Sequence, residues 1–171
     1  MSKPLLFAMM LFCFIPVGCA NDTKHQVEFR GTWDLESRSL PQGQEIKTPK
    51  VYGLIEWFPL TQDKAHVLIS QTDQRDAIQI LDGVFTRQNN TFALEVYVQI
   101  GGKLGNAIGQ TYETKLPIQK GTIVSDDART TLIYEDGTRF EFIGVKLTVT
   151  YPNGTTDHWK RQKDQKGALI N

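Results

Sequence analysis

Phe92-Ala93-Leu94-Glu95-Val96-Tyr97-Val98-Gln99-Ile100 places an apolar residue at every even position, with Ala, Glu, Tyr and Gln between them. A repeat of two residues is the repeat of a strand with one covered face; a helix would need apolar residues at i, i+3 and i+4. The same alternation extends in both directions along the chain. Upstream, Ala77 to Thr86 reads as a strand with a break or bulge at Asp82-Gly83, and Asn89-Asn90 turns the chain. Ala65 to Ser70, Tyr52 to Phe58 and Val27 to Glu36 are further strands, the second closed by Pro59. Residues 37–50, with Pro41, Gly43 and Pro49, read as a loop, and 71–76 as a turn or short helix. Downstream, Gly101 to Gly109 holds four glycines and reads as a loop. Tyr112 to Ile118 and Thr122 to Ser125 are short strands. Thr130 to Tyr134 and Thr138 to Ile143 form a hairpin across Glu135-Asp136-Gly137. About nine or ten strands with no convincing helix predict an all-β antiparallel barrel or sandwich.

The last hairpin, Val145 to Tyr151 and Thr155 to Gln162, admits two registers. A two-residue Asn153-Gly154 turn pairs Thr148 with Trp159 and mixes the faces. A three-residue loop puts Pro152 and Asn153 in a type I turn with Gly154 left-handed. It pairs Leu147 with Trp159, Val149 with Asp157 and Val145 with Arg161. A slip of one residue inverts every face, and Leu147 opposite Trp159 is the better core pair, so the bulged register is expected.

The N-terminus reads as an export signal. Lys3 precedes an almost wholly apolar run, Pro4 to Val17, too short to span a bilayer as a mature helix. Val17-Gly18-Cys19-Ala20 follows and resembles the lipobox of bacterial lipoproteins, with Pro16 where Leu is usual. That resemblance implies cleavage before Cys19, acylation of its thiol (palmitate among the chains) and, from Ala20 in place of Asp, an outer-membrane address at the periplasmic face. Cleavage after Ala20 to give a secreted or soluble periplasmic protein, and a chance cysteine, are the other readings. The expected organisation is signal peptide 1–18, tether 19–26, barrel domain 27–162 and tail 163–171. Removing 18 of 171 residues leaves 153, with no cysteine other than Cys19. Stability must then come from a core, which a chain of this size can build.

Gly31-Thr32-Trp33 in the first strand looks like the G-x-W signature of lipocalins and lipocalin-like (calycin) barrels. In that family the Trp plugs the closed end of an up-and-down barrel and an Arg from the last strand packs across its ring. Asp157-His158-Trp159-Lys160-Arg161 ends the last strand, so the resemblance assigns that role to Arg161. It covers about residues 27–162. The T-D-Y motif of kernel lipocalins is not evident, which implies a divergent relative. Trp33 as a core aromatic of another β fold is the alternative.

Lys+Arg 19 and Asp+Glu 19 balance to zero, so no basic footprint for nucleic acid exists. His25, His66 and His158 have no metal-ligand spacing, no G-x-S-x-G elbow or phosphate-binding glycine motif occurs, and Asp126-Asp127 reads as a turn. Hence no enzyme, cofactor, metal or catalytic residue is expected. A small barrel is filled by side chains or holds one small ligand. In-phase Phe29, Leu94, Val96, Val98, Phe140, Phe142, Leu147 and Val149 are the candidate lining, or plain core. Loops 37–50 and 101–111 are placed at the mouth. The expected function is a lipid-anchored envelope protein carrying a small hydrophobic ligand, lipid or fatty-acid-like. The alternative is a structural or accessory lipoprotein with a filled core, acting through surface contacts such as Tyr52 or Tyr97.

Overall fold

The computed structural model describes residues 31–72, 77–103, 110–112 and 116–163. Phe29, Cys19, the signal and tether segments, residues 104–109 and the tail after Lys163 lie outside the described residues. Twelve strands are described, in chain order β1 (Gly31–Ser39), β2 (Glu45–Lys47), β3 (Tyr52–Pro59), β4 (Lys64–Thr72), β5 (Ala77–Gln88), β6 (Thr91–Lys103), β7 (Gln110–Tyr112), β8 (Gln119–Ser125), β9 (Thr130–Tyr134), β10 (Arg139–Ile143), β11 (Lys146–Thr150) and β12 (Thr156–Arg161). All pairings are antiparallel. Each of ten strands lies beside the next in sequence, and β12 pairs back onto β1, closing an up-and-down barrel. β2 and β7 sit outside that ring, on the ends of β1 and β6.

Closure removes the exposed edges that an open sheet of this length would present. It also divides the turns between two ends. The β3–β4, β5–β6, β8–β9 and β10–β11 turns lie at the end where Trp33 packs. The β9–β10 and β11–β12 turns lie at the other.

The final hairpin has the bulged register: Leu147 opposes Trp159 and Val149 opposes Asp157. The Arg161 amide donates to the Val145 carbonyl, and Gly154 takes φ +82°. The β9–β10 turn repeats this design with Gly137 at φ +90°.

Gly101 to Lys103, expected as loop, continue β6, and Gln71-Thr72, expected in a turn or short helix, continue β4; three further expectations need correction. First, the 37–50 segment is not all loop, because β1 continues to Ser39 and β2 pairs with it. Second, Tyr112 to Ile118 is not one strand. β7 ends at Tyr112, 116–118 is irregular, and β8 starts at Gln119. Third, β6 does not keep one phase. Asp82 opposes Val98 while Gly83 opposes Val96, so Tyr97 is an extra residue with no opposite partner. Such a bulge shifts the side chains beyond it to the other face. Leu94 and Val96 are buried; Val98, opposite Asp82, is only half-buried and does not line the interior. Gly83 permits the close approach, since a Cβ there would stand 2.6 Å from the Glu95 carbonyl oxygen.

A second bulge lies in β1. Leu35 opposes Trp159 but Ser37 opposes His158, which leaves Glu36 over and turns Arg38 toward Asp157.

The interior is built from rings in edge and stacked contact. Trp33, Phe142, Trp57, Phe85, Phe92, Tyr134 and Phe140 form a continuous chain with centroids 4.7–6.2 Å apart. Each offset or T-shaped pair adds about 0.5–1.5 kcal/mol beyond area burial. Leu35, Ile55, Val67, Leu132, Leu147 and Val149 complete the buried apolar core.

Candidate functional site

The barrel interior is asymmetric, and the two β1 positions Trp33 and Arg38 mark its ends. At the packed end, Trp33 is fully buried and pairs with Arg161 across β1–β12. The Arg161 guanidinium carbon lies 5.9 Å from the Trp33 ring centroid, within cation–π range. Gly31 begins β1 opposite Trp57. The three residues of the G-x-W resemblance are thus gathered at one end of the barrel.

At the other end the β1 bulge sends Arg38 inward. Its Nε donates to Asp157 Oδ1 at 2.6 Å and one terminal nitrogen donates to Oδ2 at 2.7 Å. Asp157 is 0% exposed, and its carboxylate accepts from this fork and from the Tyr151 hydroxyl, which donates to Oδ2 at 3.0 Å. A buried carboxylate persists only with such partners. The network runs on. Arg38 donates to Gln71 Oε1 at 3.0 Å, and Gln71 Nε2 donates to Gln79 Oε1 at 2.7 Å. Four strands, β1, β4, β5 and β12, therefore converge on one polar cluster.

Beside the cluster is a cavity of about 230 Å³. Ile69, Leu81, Leu94 and Phe140 give it apolar walls. Gln71, Gln79 and Tyr151 from the network, with Gln119, Tyr134 and Thr138, give it polar ones. Burial, and then the Asp136 carboxylate, hold the Tyr134 phenol well above its ordinary value. Burial, and then Asp157, do the same for Tyr151. Both hydroxyls are therefore neutral donors and acceptors at any physiological pH. A wider cleft of about 580 Å³ opens over β5, β6, β8 and β9, lined by Thr86, Ala93, Lys120 and Ile133 among others.

Of the proposed lining, only Leu94 and Phe140 reach the cavity, while Val96, Phe142, Leu147 and Val149 are buried in the packed core. Arg38, Gln71, Gln79 and Tyr151 were not selected from the sequence. One signal was available for Asp157: the bulged hairpin register sets it opposite Val149, on the same face as Trp159 and Arg161. Nothing comparable marks Arg38, whose direction depends on the Glu36 bulge.

His66 and His158 stand on the outer phase of β4 and β12, alternating with buried Val67 and with buried Asp157 and Trp159. His66 Nε2 lies 2.5 Å from Asp82 Oδ1. Asp126 caps its own turn, accepting from the amides of Ala128 and Arg129. No group of three His, Cys, Asp or Glu suited to a metal exists among the described residues.

No protein-family model matches the chain, and no curated protein matches it. Among solved structures it is similar to a redesigned β-barrel, mFAP1, bound to DFHBI. That protein is 14% identical, with 77% of this chain and 94% of that chain covered and a TM-score of 0.33. It is also similar to EF1p2_mFAP2b bound to DFHBI, 11% identical, with 81% and 97% covered and a TM-score of 0.37. The lipocalin and lipoprotein resemblances rest on the residues alone.

Proposed function

We propose that this chain is a lipid-anchored envelope protein that holds a small amphipathic molecule in the cavity end of its barrel. The observation that carries the reading is the asymmetry of the interior. One end is filled by the aromatic chain around Trp33; the other keeps about 230 Å³ between apolar walls and an ordered polar cluster. Apolar burial would supply affinity, and Gln79, Gln71 and Tyr151 would orient a polar head.

The volume refines the ligand class. Pockets for drug-sized molecules start at roughly 300 Å³. A cavity somewhat below that suits a short-chain or compact molecule. A long acyl chain would have to displace the Trp33–Phe142–Trp57 packing, and cores resist such strain. Acylation at Cys19 is the proposed anchor, since two or more chains hold a protein stably at a membrane.

The filled aromatic layer also supports a second reading, an accessory lipoprotein acting through its surface. Native mass spectrometry of the full lipoprotein, released from detergent, separates the two. Acyl chains on Cys19 appear as a covalent mass that survives denaturation. A cavity ligand appears as a further adduct of a few hundred daltons or less that denaturation removes. A protein with acyl mass but no adduct, even after incubation with short-chain alcohols, amides and acids, leaves the surface-acting reading.

A further inference from the structure

We propose that the packed end of the barrel lies on the bilayer, so that the cavity mouth faces the aqueous compartment. The inference rests on the Cys19 anchor proposed above and concerns which surface that anchor brings to the membrane. β1 enters the fold at the packed end, where Gly31 pairs with Trp57. One residue beyond Trp57 is Phe58, 46% exposed, and at the following turn Leu60 is 57% exposed. Val124 and Ile143, 57% and 47% exposed, lead into the β8–β9 and β10–β11 turns of that same end. Four of the seven large exposed apolar residues among those described thus lie around the rim of the end at which β1 begins.

Tether length makes the orientation specific. Eleven residues, 20–30, reach at most about 36–40 Å when fully extended. The nine residues of β1 are roughly 30 Å long. Presenting the cavity end to the bilayer would require the tether to run back along the barrel nearly stretched, at a large entropic cost. Charge does not oppose packed-end docking. These turns carry Lys64, Arg129 and Lys146 alongside Asp63, Asp126 and Asp127, and Arg129 pairs with Asp126 at 3.2 Å. A near-neutral rim around exposed apolar side chains suits shallow insertion at the lipid interface. The consequence is functional: the cavity would exchange its ligand with the aqueous phase, or with a soluble donor, and not directly with the anchoring leaflet.

The test uses full lipoprotein in vesicles of phosphatidylethanolamine and phosphatidylglycerol. Leu60→Cys and Asn153→Cys each add one free thiol, since Cys19 is acylated, and each is labelled with an environment-sensitive fluorophore. Asn153 is exposed in the cavity-end turn. Nitroxide-bearing lipids are expected to quench the Leu60 label several-fold more than the Asn153 label. Ile143→Cys is expected to follow Leu60 and to lose its quenching when Phe58 and Leu60 become Ser. Equal or reversed quenching in protein that carries acyl mass overturns the orientation and leaves the anchor intact. Protein with no acyl mass overturns the anchor, and the orientation with it. Circular dichroism of each labelled variant establishes that the compared proteins are folded.

Discussion

The space that the Gly53 side chain would fill is occupied by the ring of Trp159. A Cβ on Gly53 would stand 2.7 Å from Trp159 Cη2 and 3.1 Å from Cζ3. Trp159 is 2% exposed and packed within the core cluster. Gly53→Ala is therefore expected to cost about 1–3 kcal/mol as overpacking. Gly101→Ala, where nothing lies within 4 Å, is the matched control and should be near neutral. Urea unfolding followed by tryptophan fluorescence compares the two; equal midpoints would show that the ring moves aside at no cost.

Arg38 and Asp157 should behave as a buried pair rather than a surface one. Asp157→Leu or Arg38→Met alone leaves one polar group without its partner, and each is expected to destabilise by about 3–5 kcal/mol. The double variant Arg38→Met/Asp157→Leu should recover much of the loss, because neither charge then remains in the barrel. A double-mutant cycle from denaturation midpoints measures this. Simple additivity of the two single losses would contradict the pairing.

Alkaline pH should weaken the fold through Tyr134 and Tyr151. Both phenols are held above their ordinary value near 10, first by burial and then by Asp136 and Asp157 respectively. The folded state therefore keeps two protons that the unfolded chain releases. Stability is unaffected below about pH 10 by these groups and falls above it, by about 1.4 kcal/mol per pH unit for each. Tyr134→Phe and Tyr151→Phe should each halve the slope in denaturation series run between about pH 9 and 12.

The bulge at Tyr97 is tested by charge. Val98 opposes Asp82 on the outer phase, so Val98→Lys should change stability by less than about 1 kcal/mol. Val96 is 2% exposed and faces Gly83 inside, and Val96→Lys should unfold the domain. If the strand alternated without interruption, both substitutions would be equally damaging.

The local parts of this fold were legible because their physics is local. Gly154 follows Pro152-Asn153, so the turn's preferred dihedrals and one core pair selected the register of Leu147 against Trp159. Alternation marked nearly every strand, and Trp33 and Arg161 could be matched through their places in the first and last strands. Interior polarity was not legible. Arg38 reads as part of an irregular segment until the Glu36 bulge turns it inward, and its partner Asp157 lies 119 residues away. Val98 reads as core until the extra residue at Tyr97 changes its face.

Sequence by itself thus determined the class of fold, most strand positions and the closing hairpin, since strand period and turn chemistry act over a few neighbouring residues. Only the tertiary structure decided which face Arg38 and Val98 present and how far the aromatic chain fills the barrel. It alone placed the cavity beside Asp157. A bulge is a mismatch between two paired strands, and a cavity is the volume that ten strands fail to fill together; neither is a property of one segment alone.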